Sequence, residues 1–251
     1  MYNPLISIIT PNYNNSKYIS ETINSVLAQT YVNWEMIIID DCSTDDSYEI
    51  AKKYSNNDIR IKVYRMDHNE GSALCRNKAI ELSQGEYLAF LDSDDLWFPE
   101  KLQKHLKFMQ INDSDFSFTE YEHIDNEGNR INKKAKAIKH LTYRKLLYHN
   151  FIGCLTVIIK QNLDNKIYGP DIKINTDYGL FLQYLKTCKN ALGYNECLSK
   201  YRIRNKSLSK NTKQKIFSFY FLFIKIENIN LIKSIFYMIT NRIIKTIWKY
   251  K

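Results

Sequence analysis

The chain has 251 residues, of which 44% are hydrophobic and 25% charged, and this composition is typical of a globular domain with a substantial core. Its net charge of +9 is unevenly distributed, because residues 202–251 hold 12 Lys and Arg and a single acid, whereas residues 1–201 are nearly balanced. This distribution argues against a basic nucleic-acid-binding domain and indicates a basic segment appended to a neutral globular part.

The first half of the chain alternates short apolar runs with amphipathic segments. Strands are predicted at residues 5–10, 35–39, 60–64 and 87–91, where β-branched and apolar residues cluster. Helices are predicted at 16–29, in the segment ending near 54, at 71–82 and at 99–112. Ser16 is a suitable cap for the first helix, and Pro99 suits the first turn of the last. This βα alternation predicts an α/β fold with a mostly parallel sheet covered by helices.

Polar clusters follow three of these strands, at residues 11–15, 40–45 and 92–95. In parallel sheets ligands bind beyond the carboxyl ends of the strands, so these clusters are expected at one edge. The three carboxylates at 92–95 repel one another and favour a divalent ion, which takes one or two carboxylates plus substrate phosphates. On spacing alone, a solvated acidic turn that caps the next helix explains them equally well. No GxGxxG or GxxxxGK[ST] motif is present, which argues against dinucleotide and P-loop nucleotide binding.

The second half of the chain is less regular. We predict a strand at residues 115–124, a hairpin turn at 125–129, a basic mobile loop at 133–140, a short helix at 141–150 and a strand at 155–159. An amphipathic helix is expected to open at residues 175–182. The five Cys form no CxxC pair or Cys/His cluster, which favours reduced thiols in a cytosolic protein. No signal peptide is recognisable, and no apolar run approaches the roughly 20 residues of a membrane-spanning helix.

Four segments resemble, in this order, the inverting family-2 nucleotide-sugar glycosyltransferases of the GT-A fold. They are SIITPNYN at 7–14, ISETINSVLAQT at 19–30, IIIDDCSTD at 37–45 and FLDSDDLWFP at 90–99. The resemblance covers roughly residues 5–205. It implies a Rossmann-like, mostly parallel central sheet in a GT-A domain at 1–209, with a nucleotide-binding half at 1–112 and an acceptor half at 113–209. Residues 210–251 would form a C-terminal helical tail.

The resemblance also implies a nucleoside-diphosphate-sugar site at the edge of the sheet. Pro11, Tyr13 and Asp41 match positions that hold the base and ribose, although a loop stop, a core aromatic and a helix cap explain them as well. Arg76 matches an Ala-Arg-Asn segment that could face the diphosphate or the nucleoside, but it also suits a surface helix turn.

The acidic loop matches the DxD motif of the family. The resemblance makes Asp94 a direct ligand of Mn²⁺ or Mg²⁺, together with Asp92, and places Asp92 and Ser93 at the donor. Asp177 matches the second acid of a Glu-Asp pair and would be the catalytic base, while Thr176 stands where the Glu is expected. Arg204 replaces an expected His, and because an Arg cannot ligate a metal, the third metal ligand is open.

These matches predict a metal-dependent inverting glycosyltransferase that moves a hexose from a UDP-sugar to a glycan acceptor. By default, the acceptor is lipid-linked and the product belongs to a bacterial surface polysaccharide such as lipopolysaccharide or capsule. Two alternatives are a nucleotidyltransferase and a non-catalytic, membrane-associated sugar-binding protein. The first is disfavoured because no Gly-rich, basic loop follows the first strand. The altered Thr176 and Arg204 are what suggest the second.

The C-terminal segment has the pattern of a basic amphipathic helix. Its apolar stripe is made of Leu231, Ile232, Ile235, Phe236, Ile239, Ile243, Ile244, Ile247 and Trp248. We expect it to lie on an anionic membrane, which would make the protein peripheral at the cytoplasmic face of the inner membrane. Packing of this segment on the domain, or a homodimer contact through it, is the alternative.

Overall fold

The computed structural model describes residues 2–204 and 212–248. Its strands, numbered in chain order, are β1 (Ile6–Asn12), β2 (Trp34–Asp40), β3 (Ile61–Arg65), β4 (Tyr87–Phe90), β5 (Leu96–Trp97), β6 (Phe116–Ile124), β7 (Arg130–Ala135), β8 (His140–Leu141), β9 (Val157–Lys160) and β10 (Ala191–Arg202). Its α-helices are α1 (Ile19–Leu27), α2 (Ser47–Asn57), α3 (Ser72–Leu82), α4 (Lys101–Ile111), α5 (Tyr143–Tyr148), α6 (Thr176–Thr187), α7 (Thr212–Tyr220) and α8 (Leu231–Trp248).

These strands form one mixed sheet in the order β3-β2-β1-β4-β9-β6-β10-β5, with β7 on β6 and β8 on β10. The first four strands are parallel, as the sequence predicts, and β9 runs antiparallel between β4 and β6. The chain passes from β1 outward through β2 to β3 and then returns to place β4 on the other side of β1. The strand order therefore reverses between β1 and β4, which is where sheets of this kind bind ligands.

The sheet is covered by helices on both faces because its central strands are apolar on both sides. Ile8, Met36 and Ala89 belong to the buried cluster that contains α1, α2 and α4. Ile9 and Ile37, one residue further along the same strands, belong to the opposite cluster, which contains α3 and α6. This alternation follows from the two-residue period of a strand, and full burial on both faces is typical of parallel sheets.

Strand β1 continues through Pro11 and Asn12, where the sequence predicted a loop. The parallel register with β2 runs to Asn12 and Asp40, whereas the register with β4 ends at Ile9 and Phe90. The carbonyl of Ile9 accepts the N–H of Leu91, so the backbone polar groups of Ile9 point toward β4. The backbone nitrogen of Pro11, two residues later, points the same way, but the pairing with β4 has already ended there. The missing N–H of Pro11 therefore interrupts no ladder hydrogen bond, which is the condition for proline in a strand.

Several local predictions were wrong. Ser16 does not cap α1, which begins after Tyr18 without a side-chain cap. The predicted mobile loop at 133–140 instead includes the end of β7 and the start of β8. The strands β5 and β10 were missed. Two register shifts near Cys197 interrupt the period of β10, so its sequence lacks the alternation of a regular strand.

The C-terminal part packs on the domain through a short π-helical turn and through one face of α8. A π-helical turn, Phe221–Ile226, follows α7 and places Leu222 and Phe223 in the same core cluster as α3 and α6. Helix α8 then lies beside α5, with Tyr237 and Met238 packed against that cluster. Within the described ranges 2–204 and 212–248, none of the helices has the length and apolar character needed to cross a membrane.

Candidate active site

The loops after β1 and β2 are joined by side-chain hydrogen bonds at the carboxyl edge of the sheet. Asp40, at the end of β2, is buried and accepts from Asn12 Nδ2 at 2.7 Å and from the backbone N–H of Ser43 at 2.9 Å. Ser43 Oγ in turn accepts from the backbone N–H of Asn14 at 3.0 Å. Tyr13 stands in this joined edge with its side chain exposed, so an aromatic face is available beside the ends of β1 and β2.

Asp41 fixes the segment that leads into α3. Its Oδ1 accepts from the backbone N–H of Glu70 at 2.7 Å and its Oδ2 from that of Gly71 at 2.9 Å. Gly71 has φ of 94°, a conformation that favours glycine. A carboxylate oxygen can accept more than one hydrogen bond, so Asp41 retains acceptor capacity toward a ligand. In this structure its contacts position α3, the helix that carries Arg76.

In the acidic loop after β4, two carboxylates form ion pairs with arginine side chains and the third accepts a backbone N–H. Asp92 Oδ1 lies 3.0 Å from Arg76 Nη2, and Asp94 Oδ2 lies 2.7 Å from Arg204 Nε. Asp95 is buried and accepts the backbone N–H of Arg202 at 2.8 Å. Ser93, also buried, accepts from Asn15 Nδ2 at 2.6 Å, which ties this loop to the end of β1.

Arg76 connects the acidic loop to the start of α6. Its guanidinium is almost fully buried, donates to Asp92 through Nη2 and donates to Thr176 Oγ1 through Nη1 at 2.7 Å. Asp177 is the next residue and lies close enough to Arg76 and Asp92 to feel both charges. The fold therefore brings together Arg76, Asp92 and Asp177, which are separated by up to about a hundred positions in the sequence. The alternative prediction, that Arg76 lies in a surface turn of a helix, is wrong because its side chain is buried.

Burial raises the pKa of two carboxylates of this cluster, Asp94 and Asp177. Burial raises the pKa of Asp94 to about 6, with Arg204 opposing the shift and Asp92 adding to it. Burial also raises the pKa of Asp177, while Arg76 lowers it and Asp92 raises it. Asp177 stands in the first turn of α6, where backbone N–H groups favour its charged form. A base whose pKa is raised toward the working pH is suited to proton abstraction.

Arg202 fixes the backbone of the acidic loop, a role that the sequence did not predict. Its side chain is fully buried and donates through Nε to the carbonyl of Asp94 at 2.9 Å and through Nη2 to Glu21 at 2.7 Å. Nη1 donates to the carbonyls of Asp125 and Asn126 in the β6–β7 turn. The sequence gives no local signal for this role, because the partners of Arg202 come from the acidic loop, the β6–β7 turn and α1.

The residues present fit a divalent ion only in its diphosphate-bound form. Asp92 and Asp94 have side chains that are 38% and 14% exposed, whereas Asp95 is turned inward. Across residues 2–204 and 212–248, no group of three His, Cys, Asp or Glu side chains could hold a metal ion. Two carboxylates suffice when substrate phosphates and water supply the remaining ligands. Asp92 and Asp94 can therefore hold such an ion, but not as a closed protein site.

Comparison with known proteins agrees with this geometry. Residues 7–165 match the family model described as Glycosyl transferase family 2. TuaG of Bacillus subtilis (strain 168), provisionally named a teichuronic acid biosynthesis glycosyltransferase, is 42% identical over 93% of this chain and 92% of its own.

A second relative is WfgD of Escherichia coli, named a UDP-Glc:alpha-D-GlcNAc-diphosphoundecaprenol beta-1,3-glucosyltransferase. It is 40% identical over 82% of this chain and 80% of its own. Among solved structures, residues 1–349 of S. aureus TarS in complex with UDP-GlcNAc superpose with a TM-score of 0.74 and 25% identity. That match covers 90% of this chain and 67% of the TarS chain. The fold is thus that of known nucleotide-sugar glycosyltransferases.

Proposed function

The chain belongs to glycosyltransferase family 2, and we propose that it transfers a hexose from a UDP-sugar to a lipid-linked glycan acceptor, with inversion, in bacterial surface polysaccharide synthesis. The observation that carries this proposal is the contact of Arg76 with both Asp92 and Thr176. It places the acidic loop and the start of α6 on one crevice beside the β1–β4 switch point. UDP-Glc and a diphosphoundecaprenol-linked acceptor are named for WfgD, and UDP-GlcNAc is bound in TarS.

In this proposal the nucleoside lies on the joined loops of β1 and β2. Tyr13 offers an exposed aromatic face for the base, and base–aromatic contacts of this kind tolerate different bases. Asp41 accepts from a ribose hydroxyl or the base N–H through acceptor sites beyond its contacts to Glu70 and Gly71. Pro11 fixes the backbone at the entry to this loop. The diphosphate then points toward Asp92, Ser93 and Asp94.

Asp177 is the proposed base. Its carboxylate takes the proton of the acceptor hydroxyl as the hydroxyl oxygen bonds to the anomeric carbon and the bond to the diphosphate breaks. This single displacement inverts the anomeric configuration and needs no protein nucleophile. Arg76, next to both Asp177 and Asp92, keeps the base oriented and offsets the repulsion between the two carboxylates.

The leaving diphosphate gains negative charge, which must be stabilised. Asp94 and Asp92 would hold Mn²⁺ or Mg²⁺ at this position, where the ion acts as a Lewis acid on the leaving group.

The test is transfer to a short polyprenyl-diphosphate-GlcNAc acceptor from UDP-glucose, UDP-galactose and UDP-GlcNAc in turn, with and without Mn²⁺. We expect UDP release coupled to a product whose new linkage has the inverted configuration by NMR. Asp177→Asn serves as the inactive control that still binds UDP. A retained configuration, or the absence of transfer and hydrolysis with every donor, would contradict the proposal.

We further propose that α8 attaches the enzyme to the cytoplasmic face of the inner membrane. Helix α8 meets α5 through Phe236, Tyr237 and Thr240, which contact Tyr148. Most of the predicted apolar stripe nevertheless stays exposed. Its exposed members are Leu231, Ile232, Ile235, Phe236, Ile239 and Ile243. Lys233 and Arg242 are exposed on the same helix, and basic residues flanking an apolar face suit an anionic interface. The side chains of residues 245–251 lie outside the described part.

This proposal is tested by co-sedimentation with vesicles containing anionic lipid and with neutral vesicles, at low and high salt. Ile232→Glu combined with Ile239→Glu should abolish binding, while Ile59→Glu, at an equally exposed Ile elsewhere, should leave it unchanged. Point variants are preferable to removing the tail, since Leu222 and Phe223 complete the core. Equal binding by all proteins would contradict the anchor, and a dimer lost in the double variant would assign this face to self-association.

A further inference from the structure

The pairing between Arg204 and Asp94 has a consequence for how a donor binds. Arg204 follows β10 directly, and its Nε lies 2.7 Å from Asp94 Oδ2. Its Nη1 donates to Asn15 Oδ1 at 2.6 Å, and Asn15 Nδ2 donates to Ser93 Oγ at 2.6 Å. The guanidinium therefore sits between the end of β1 and the acidic loop, on the carboxylate proposed as the principal metal ligand.

The three arginines of the acidic loop differ in their freedom to move. The Arg202 side chain is fully buried and is fixed by contacts to the acidic loop, to the β6–β7 turn and to Glu21 of α1. Arg76 is 5% exposed and bridges Asp92 to α6. Arg204, in contrast, is 33% exposed. Of these three, Arg204 has the most exposed side chain, so its own charge stays partly hydrated when it leaves its carboxylate. The carboxylate of Asp94 then needs another cation, because an unpaired buried charge is costly.

A cation that binds Asp94 must compete with this guanidinium. The guanidinium of Arg204 already lies 2.7 Å from Asp94 Oδ2. A divalent ion bound to the same carboxylate would place its two positive charges beside this guanidinium, and like charges repel strongly where water is partly excluded. The two exposed carboxylates of the loop, Asp92 and Asp94, each already have an arginine guanidinium as partner. The chain alone therefore has little need of a metal ion.

A diphosphate changes this balance. Arginine is permanently charged and presents a planar fork that matches phosphate oxygens. A diphosphate reaching the acidic loop from the β1–β4 crevice meets the exposed side of Arg204, next to Asn15 and Ser93.

We propose that Arg204 neutralises Asp94 in the empty enzyme and transfers to the donor diphosphate when the donor binds, which releases Asp94 to the divalent ion. Metal and donor then bind together, and the enzyme has low affinity for the ion alone. This inference rests on the proposed donor site.

The experiment compares Arg204→Gln with the wild type in the full chain, using two measurements that do not depend on turnover. Isothermal titration calorimetry gives the affinities for UDP and for uridine without metal, and electron paramagnetic resonance gives the affinity for Mn²⁺ without nucleotide. Arg60→Gln is the matched control, because Arg60 forms an ion pair with Asp58 at 2.7 Å at the opposite edge of the sheet.

We expect UDP to bind Arg204→Gln about tenfold more weakly or worse, the effect of losing a hydrogen bond to a charged group. Uridine should bind both proteins equally, and Mn²⁺ alone should bind the variant more tightly than the wild type. Equal UDP affinities, or an unchanged or weaker Mn²⁺ affinity in the variant, would overturn the role of Arg204 while wild-type UDP binding still supports the donor site. Absence of UDP binding to the wild type, with and without Mn²⁺, would overturn the donor site and this inference together.

Discussion

Lys101, the first residue of α4, is a buried lysine without a carboxylate partner among the described residues, so its protonation should affect the stability of the fold. Its ammonium donates to the carbonyl of Thr156 at 3.0 Å, lies 3.1 Å from His105 Nδ1 and sits over the Trp97 ring. His105 Nε2 continues the network to Ser117. In the described part of the chain, no Asp or Glu forms an ion pair with Lys101. Burial lowers the pKa of Lys101 to about 7, and burial also lowers the pKa of His105 well below its usual value, so His105 stays neutral.

The sign of the pH effect follows from this shift. In the unfolded chain Lys101 has its ordinary pKa of 10.5, so between pH 7 and 10.5 the unfolded state binds a proton that the folded state has released. The free energy of unfolding therefore rises with pH across this window, by up to about 1.4 kcal/mol per pH unit. From pH 7 to pH 9 the gain assigned to Lys101 is about 2 kcal/mol.

The perturbation is Lys101→Met, which keeps the length of the side chain and removes the titrating group. Urea unfolding at pH 7, 8 and 9 should show the wild type gaining about 2 kcal/mol relative to this variant. Lys104→Met, at the exposed Lys that pairs with Glu196 on the same helix, should follow the wild type at each pH. Parallel profiles for the wild type and Lys101→Met would refute the reasoning, since other titrating groups cancel in the difference.

Three further predictions concern the site. Asp177→Asn should leave UDP affinity near normal and cut turnover by about 10²–10⁴ in the transfer assay; an equal collapse of UDP affinity would make Asp177 structural. Asp94→Asn should nearly abolish transfer and weaken Mn²⁺-dependent UDP binding measured by calorimetry, and full wild-type activity in excess EDTA would argue against the metal. Arg202→Met should lower the urea-derived free energy of unfolding by about 2 kcal/mol, because carbonyls of the acidic loop and the β6–β7 turn lose their donor; an unchanged midpoint would show that the loop carbonyls find other donors.

Much of the donor half could be predicted from the sequence because its signals are local. Short apolar runs identified β1 to β4 as strands, and polar clusters follow three of them. The parallel arrangement followed from the helices between them, and it placed Asp41 and the acidic loop at the same edge. Those inferences need only neighbouring residues and the general geometry of βα units.

The partners of the charged groups were decided by the tertiary structure. Asp92, Asp94 and Asp95 stand within four positions, yet Asp92 pairs with Arg76, Asp94 pairs with Arg204, and Asp95 accepts the backbone N–H of Arg202. Arg202 and Arg204 reach the loop only because β10 lies beside β6 and β5. No local pattern predicts such pairings, since an ion pair depends on distance in space and has no period along the chain.

The exposed face of α8 was also decided by the tertiary structure. The sequence determines its apolar stripe, but the packing of α8 beside α5 and the insertion of Leu222 and Phe223 into the core decide which face remains exposed. Local hydrophobic periodicity thus specifies elements and their faces, whereas the strand order and the packing of those faces determine which charges meet.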